Sequence, residues 1–200
     1  VCDTGLWDAD TPAITTMLRG LVAEDFTIHA ANRDLHSGSY GGPAINPIRV
    51  LTRILGGLHD ETGRVTLPDF YEGVPRISNS LKAKWDALNF DVAGFLGDVG
   101  LTTPAGEDAY TAMEQIWCRP TCDINGINGG YTGEGFKTVL PADAHAKVSF
   151  RLVGTQDPDA ISAAFRKYIR DNLPPDCEVT FRAKDGAAAT NLSVEAPEFV

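Results

Sequence analysis

Two kinds of hydrophobic periodicity alternate along this chain, and their order predicts an α+β fold of the ferredoxin-like, split βαβ class (βαββαβ). In that fold an antiparallel sheet carries two helices on one face. Three observations lead there. Residues 143–153 set Ala144, Ala146, Val148, Phe150 and Leu152 on one side and His145, Lys147, Ser149 and Arg151 on the other, the period of a half-buried strand. Residues 44–58 and the stretch after Asp157-Pro158 space their apolar residues as amphipathic helices do. Between the first helix and the second strand, residues 64–120 are broken by Pro68, Gly73 and Pro75 and read as a helical insertion.

The first strand lies within residues 13–32, where Phe26, Ile28 and Ala30 alternate with Thr27, His29 and Ala31. A glycine-rich elbow follows, Asp34-Leu35-His36-Ser37-Gly38-Ser39-Tyr40-Gly41-Gly42-Pro43, and carries a histidine between strand and helix. Pro43 suits the first position of a helix beginning near Ala44, because its missing N–H needs no partner there. Ile45, Ile48, Leu51, Ile54, Leu55 and Leu58 form that helix's apolar stripe. In the insertion, Leu81, Trp85 and Leu88 mark one short helix. Val92, Phe95, Leu96 and Val99 mark a second, and Tyr110, Met113, Ile116 and Trp117 a third.

Strand pattern returns at residues 121–129, then a glycine-rich loop, residues 129–138, leads into the strand at 143–153. The loop is too long for a tight hairpin and long enough to embrace a ligand. Asp157 and Pro158 supply an N-cap and a first-turn proline for a helix whose stripe is Ile161, Ala164, Phe165, Tyr168 and Ile169, and Pro174-Pro175 ends it. A last strand turns Cys177, Val179, Phe181 and Ala183 inward, and residues 185–200 read as a connector.

Composition narrows the function. The chain has 200 residues, a formal charge of −10 and 43% hydrophobic residues, which suits one well-formed core and argues against nucleic acid or an anionic membrane as partner. No apolar run is long enough to span a membrane. Four cysteines, Cys2, Cys118, Cys122 and Cys177, lack the spacing of a zinc knuckle and read as reduced thiols of a cytoplasmic protein. The opening Val1-Cys2-Asp3-Thr4-Gly5 reads as the middle of a longer protein. Gly133-Glu134-Gly135-Phe136-Lys137-Thr138 fails the spacing of a phosphate-binding loop, and no Gly-x-Ser-x-Gly elbow is present.

Several motifs in order resemble a known family: Asp3-Thr4-Gly5-Leu6-Trp7-Asp8, Thr11-Pro12-Ala13-Ile14-Thr15, Leu18-Arg19-Gly20-Leu21, Asp34-Leu35-His36-Ser37-Gly38, residues 133–141 and Ser149-Phe150-Arg151-Leu152-Val153. Together they resemble the carnosinase-type dipeptidases, di-zinc metallopeptidases of family M twenty, related to succinyl-diaminopimelate desuccinylase and the aminoacylases. The resemblance implies a lid and dimerisation domain over residues 13–184, with residues 1–12 a remnant of the catalytic-domain edge. It implies a homodimer, a catalytic domain elsewhere in the same protein, a peptide or N-acyl amino-acid substrate, and two zinc ions that this chain alone would not hold. Residue by residue, it implies that Asp3 is a zinc ligand, that His36 reaches across the dimer to the oxyanion, that Thr138 contacts substrate, and that Arg151 grips the substrate carboxylate. The isolated chain would be inactive. His29, His59 and His145 match no such role.

Two other classes of answer stay open on the residues alone. One is a stand-alone ferredoxin-like module that binds a small ligand or regulates a partner. The other is a purely structural dimeriser. His-x-Asp and Glu-Glu motifs in flanking sequence would select the peptidase.

Overall fold

The computed structural model describes residues 7, 8, 10, 11 and 13–192; Cys2, Asp3 and both extreme ends of the chain lie outside the described residues. Four strands form the main sheet in the order β4-β6-β2-β7, every neighbouring pair antiparallel. They are β2 (Gly20–His29), β4 (Thr121–Gly129), β6 (Asp143–Leu152) and β7 (Glu178–Ala187). Helices α2 (Pro47–Gly56) and α6 (Pro158–Asp171) pack on one face of this sheet. This is the βαββαβ arrangement that the periodicity predicts, and the first and third strands of the motif lie at its centre.

The covered face is a dry core. Val22, Phe26 and Ile28 of β2 and the even-numbered residues Ala144 to Leu152 of β6 meet Leu51, Ile54, Ile161, Phe165 and Ile169 of the helices. Phe150 touches both Phe165 and Phe70 ring to ring, so the centre of the sheet holds the aromatic cluster. Glu24 is the exception on this face: 2% exposed, it accepts hydrogen bonds from the Ser162 hydroxyl and the Arg166 guanidinium of α6. Cys122, Cys118 and Cys177 are buried and free. Burial, reinforced by the charges of Asp123 and Glu114 respectively, pushes the Cys122 thiol to about 12 and that of Cys118 to about 11. Such thiols are poor nucleophiles.

Local chemistry sets the element ends. Asn46, not a residue near Gly42, caps α2 by accepting the Ile48 N–H, and Pro47 takes the first helical position. Pro43 sits instead in a turn where Gly42 has φ of +101°, which corrects the helix start at Ala44. Asp157 caps α6 with Pro158 behind it, as expected. β7 continues to Ala187, beyond the alternating stretch, because residues 185–187 pair with Leu21–Ala23; the side chain of Ala183 is outside the described set.

Three further pieces flank this frame. β1 (Met17–Leu18) pairs with β8 (Thr190–Asn191), and β3 (Leu35–His36) pairs with β5 (Val139–Leu140). α1 (Ser37–Tyr40) is a single turn inside the elbow. The insertion holds the three short helices expected, α3 (Asn79–Asp86), α4 (Val92–Gly97) and α5 (Ala112–Trp117). They are held by aromatic contacts such as Trp85 edge-on to Trp117, and by the buried Arg119–Glu107 ion pair at 2.6 Å. No helix among the described residues is long and apolar enough to cross a membrane.

Both outer strands of the main sheet are bulged. On β4 the pairing steps from Ile124 to Gly126 against consecutive residues of β6, which leaves Asn125 extra. On β7 it steps from Phe181 to Ala183 against consecutive residues of β2, which leaves Arg182 extra.

Candidate functional site

The elbow is built around its histidine. His36 ends β3 opposite Val139, and its side chain caps α1: Nδ1 accepts the Gly38 N–H at 2.8 Å. An accepting Nδ1 carries no proton in the neutral ring, so the proton sits on Nε2, which becomes an outward-facing donor. Gly38 leaves room for the imidazole in this position, because a Cβ there would lie 2.6 Å from its Cε1 and push the ring aside. Two bonds pin the elbow to the chain ahead of β6: Asp34 accepts the Ala142 N–H at 2.9 Å, and Ser37 N–H donates to the Thr138 carbonyl at 2.9 Å.

The same pairing brings Thr138 to the histidine. Its Oγ1 stands 3.4 Å from Nε2, too long for a strong hydrogen bond and short enough for both groups to meet one small ligand atom. Residues Asp34, Leu35, His36, Phe136, Lys137, Thr138 and Val139 line an open pocket of about 440 Å³. Two larger clefts, of about 820 Å³ each, flank α6 and α2 and contain neither His36, Thr138 nor Arg151.

Arg151 lies elsewhere. It is exposed on the face of β6 that no helix covers, between Thr121 of β4 and Leu21 of β2, and its guanidinium makes no hydrogen bond or ion pair with a described residue. The elbow adjoins the Asp143 end of β6, eight residues from Arg151, a strand length of roughly 26 Å. His36 and Thr138 therefore share one end of the sheet and Arg151 marks the other. Asp3 is outside the described residues, and among those described no group of three His, Cys, Asp or Glu is arranged to hold a metal ion.

The sequence reading assigns no role to Arg19, which also belongs to the Arg151 end. Burial first, then the positive charge of Arg151, holds the Arg19 guanidinium below its ordinary range, against the opposing pull of Asp123. Only the strand register reveals it, since Arg19 stands two residues before Leu21, the direct partner of Arg151. Two of the three histidines without an expected role, His29 and His145, are cross-strand ties on the open face, while His59 lies outside the main sheet in a short bridge with Val65. His145 Nε2 meets Asp25 at 2.8 Å, and His29 meets Asp143 at 2.5 Å and Thr180 at 3.0 Å. Between them Thr27 is 3% exposed, and its Oγ1 has no hydrogen-bond partner among the described residues.

Comparisons with known proteins agree on one family. A model of the peptidase dimerisation domain matches residues 16–177. The chain is 29% identical over 157 residues to the Cys-Gly metallodipeptidase of Saccharomyces cerevisiae, covering 78% of this chain and 33% of that protein. It is 26% identical over 172 residues to the human Beta-Ala-His dipeptidase, covering 86% of this chain and 34% of that protein. A solved metallo-carboxypeptidase of Sulfolobus solfataricus superposes with a TM-score of 0.82 at 27% identity, over 98% of this chain and 50% of that one. The chain spans about a third of the length of the curated relatives it matches.

Proposed function

Since the chain belongs to the peptidase dimerisation domain family, we propose that it is the lid and dimerisation domain of a metal-dependent dipeptidase or related amidohydrolase. The lid runs from residue 13 to the end of β7 at Ala187, three residues beyond the boundary expected from the sequence, and the residues before and after it join it to a catalytic domain of the same protein. The substrate is a peptide or N-acyl amino acid with a free carboxylate. Three buried cysteines without a disulfide suit a cytoplasmic setting.

The observation that carries this reading is the separation of the two polar groups. His36 with Thr138, at the small β3–β5 pair, stands beyond one end of the main sheet and Arg151 at the other, too far apart to hold one dipeptide within a single chain. In a two-fold dimer the elbow of one subunit instead meets the Arg151 end of its partner. Arg151 holds the substrate carboxylate through two parallel N–H bonds, for which its guanidinium is unencumbered. His36 of the partner offers its Nε2–H to the oxygen that becomes negative as the amide carbonyl is attacked, and the closed lid keeps water from competing. Thr138 adds a hydroxyl beside it. A zinc pair bound in the catalytic domain would supply the Lewis acid and the acidified water that amide hydrolysis needs. The described residues offer no site for it, with Asp3 its one candidate ligand in this chain. The free, bulged edges of the sheet are the seam proposed for the dimer.

Mixing subunits tests the assignment. In the full-length protein, His36→Ala and Arg151→Ala each lower kcat/KM by roughly 10²–10³-fold when homodimeric. Co-refolded together they regain about a quarter of wild-type activity, since half the dimers are mixed and each mixed dimer keeps one intact site of two. A mixture no more active than its parents would overturn the cross-subunit reading.

A further inference from the structure

We propose that Phe136 forms a wall of the partner subunit's substrate pocket, packing its ring against an apolar side chain next to the scissile amide and so favouring hydrophobic substrates over small ones. The proposal rests on the reading that the elbow serves the partner's reaction centre.

Phe136 is 90% exposed, the most exposed large hydrophobic side chain among the described residues. It is not on a slack loop. Tyr131 donates its hydroxyl to the Glu134 carbonyl at 2.7 Å, and the Lys137 ammonium folds back over the Tyr131 ring at 4.4 Å. Gly130 and Gly135, at φ of +74° and +80°, make the turns this shape needs. On the far side, the Thr138 carbonyl is held by Ser37 N–H. The loop is braced at both ends, and its largest apolar group is presented to solvent.

An aromatic ring held in water forgoes the transfer energy it would gain on burial, so a braced loop that displays one is arranged for contact. The location identifies the contact. Phe136 lines the same pocket as His36 and Thr138, two residues from the hydroxyl next to Nε2. Whatever carbonyl oxygen reaches Nε2 brings its own neighbouring side chain towards that ring. Leu35 and Val139 also line the pocket but are half-buried in the β3–β5 pair, so Phe136 is its one fully exposed apolar wall among the described residues.

The experiment is a substrate panel on the full-length dimer, comparing kcat/KM for Leu-containing and Gly-containing dipeptides. Phe136→Ala is expected to reduce the Leu-to-Gly preference about ten-fold, with dimer mass and Tm unchanged, and Phe136→Leu is expected to restore most of it. An equal loss on both substrates, or no change, overturns the proposal. So does a Phe136→Ala protein that elutes as a monomer, since the ring would then belong to the subunit seam. His36→Ala separates the two levels. If that variant keeps full kcat, the lid reading itself has failed. If it is disabled while Phe136→Ala leaves the preference intact, only the role of Phe136 is lost.

Discussion

The two faces of the central sheet are made of neighbouring residues on the same strands, yet they are built to opposite rules. On the covered face the side chains interlock with two helices, and the buried carboxylate of Glu24 is fully answered by Ser162 and Arg166. On the open face the strands carry charged and polar groups in loose array. The His145–Asp25 tie stands towards the middle and the His29–Asp143 tie at the elbow end, with the His36 elbow just beyond it, while at the other end the Arg151 guanidinium has no bonded partner among the described residues. Stability is concentrated on one side of a layer a single residue thick, which leaves the other side free to hold groups that are costly to keep unpaired.

That contrast can be broken most severely from the covered face. Phe150→Ala should cost about 3–5 kcal/mol of unfolding free energy, because it empties the aromatic cluster against Phe70 and Phe165. Denaturant titration of the chain measures it, and a loss under 1 kcal/mol would mean that the core is not centred there. Thr27→Val probes the boundary between the faces. The hydroxyl is buried without a partner, so replacing it with a methyl group should raise stability by about 1 kcal/mol. A destabilised variant would point to an ordered water on Oγ1. The smallest effect is expected at Arg151→Ala, within about 0.5 kcal/mol of wild type, because the guanidinium contributes nothing to the fold that thermal melting would register.

Legibility in the sequence followed the same division. The covered face could be read because burial imposes a period: β6 alternates as written, and α6 begins at its Asp-Pro cap. Where two local signals competed, the nearer reading failed; Pro43 and Pro47 both suit a helix start, and only the Asn46 side chain decides between them. The two-residue pairing of β3 with β5 was invisible, since it joins segments about a hundred positions apart and is too short to have a period. That pairing sets the distance between His36 and Thr138, so the motifs named both residues without saying that they meet. The last turn of β7 was hidden by composition, as Asp185-Gly186-Ala187 has the makeup of a linker and is ordered by its partner strand alone. Arg19 and Phe136 gave no periodic signal at all; their surroundings single them out.

The bulges on the two outer strands have a consequence for self-association. A sheet that presents straight, flat margins can be extended by copy after copy, the route by which folded domains seed fibrils. Here Asn125 interrupts one margin and Arg182 the other near mid-strand, so an incoming copy could stay in step for only a few residues before its ladder failed. Growth by endless addition is thereby blocked, while a short pairing that closes on itself after two copies is still allowed.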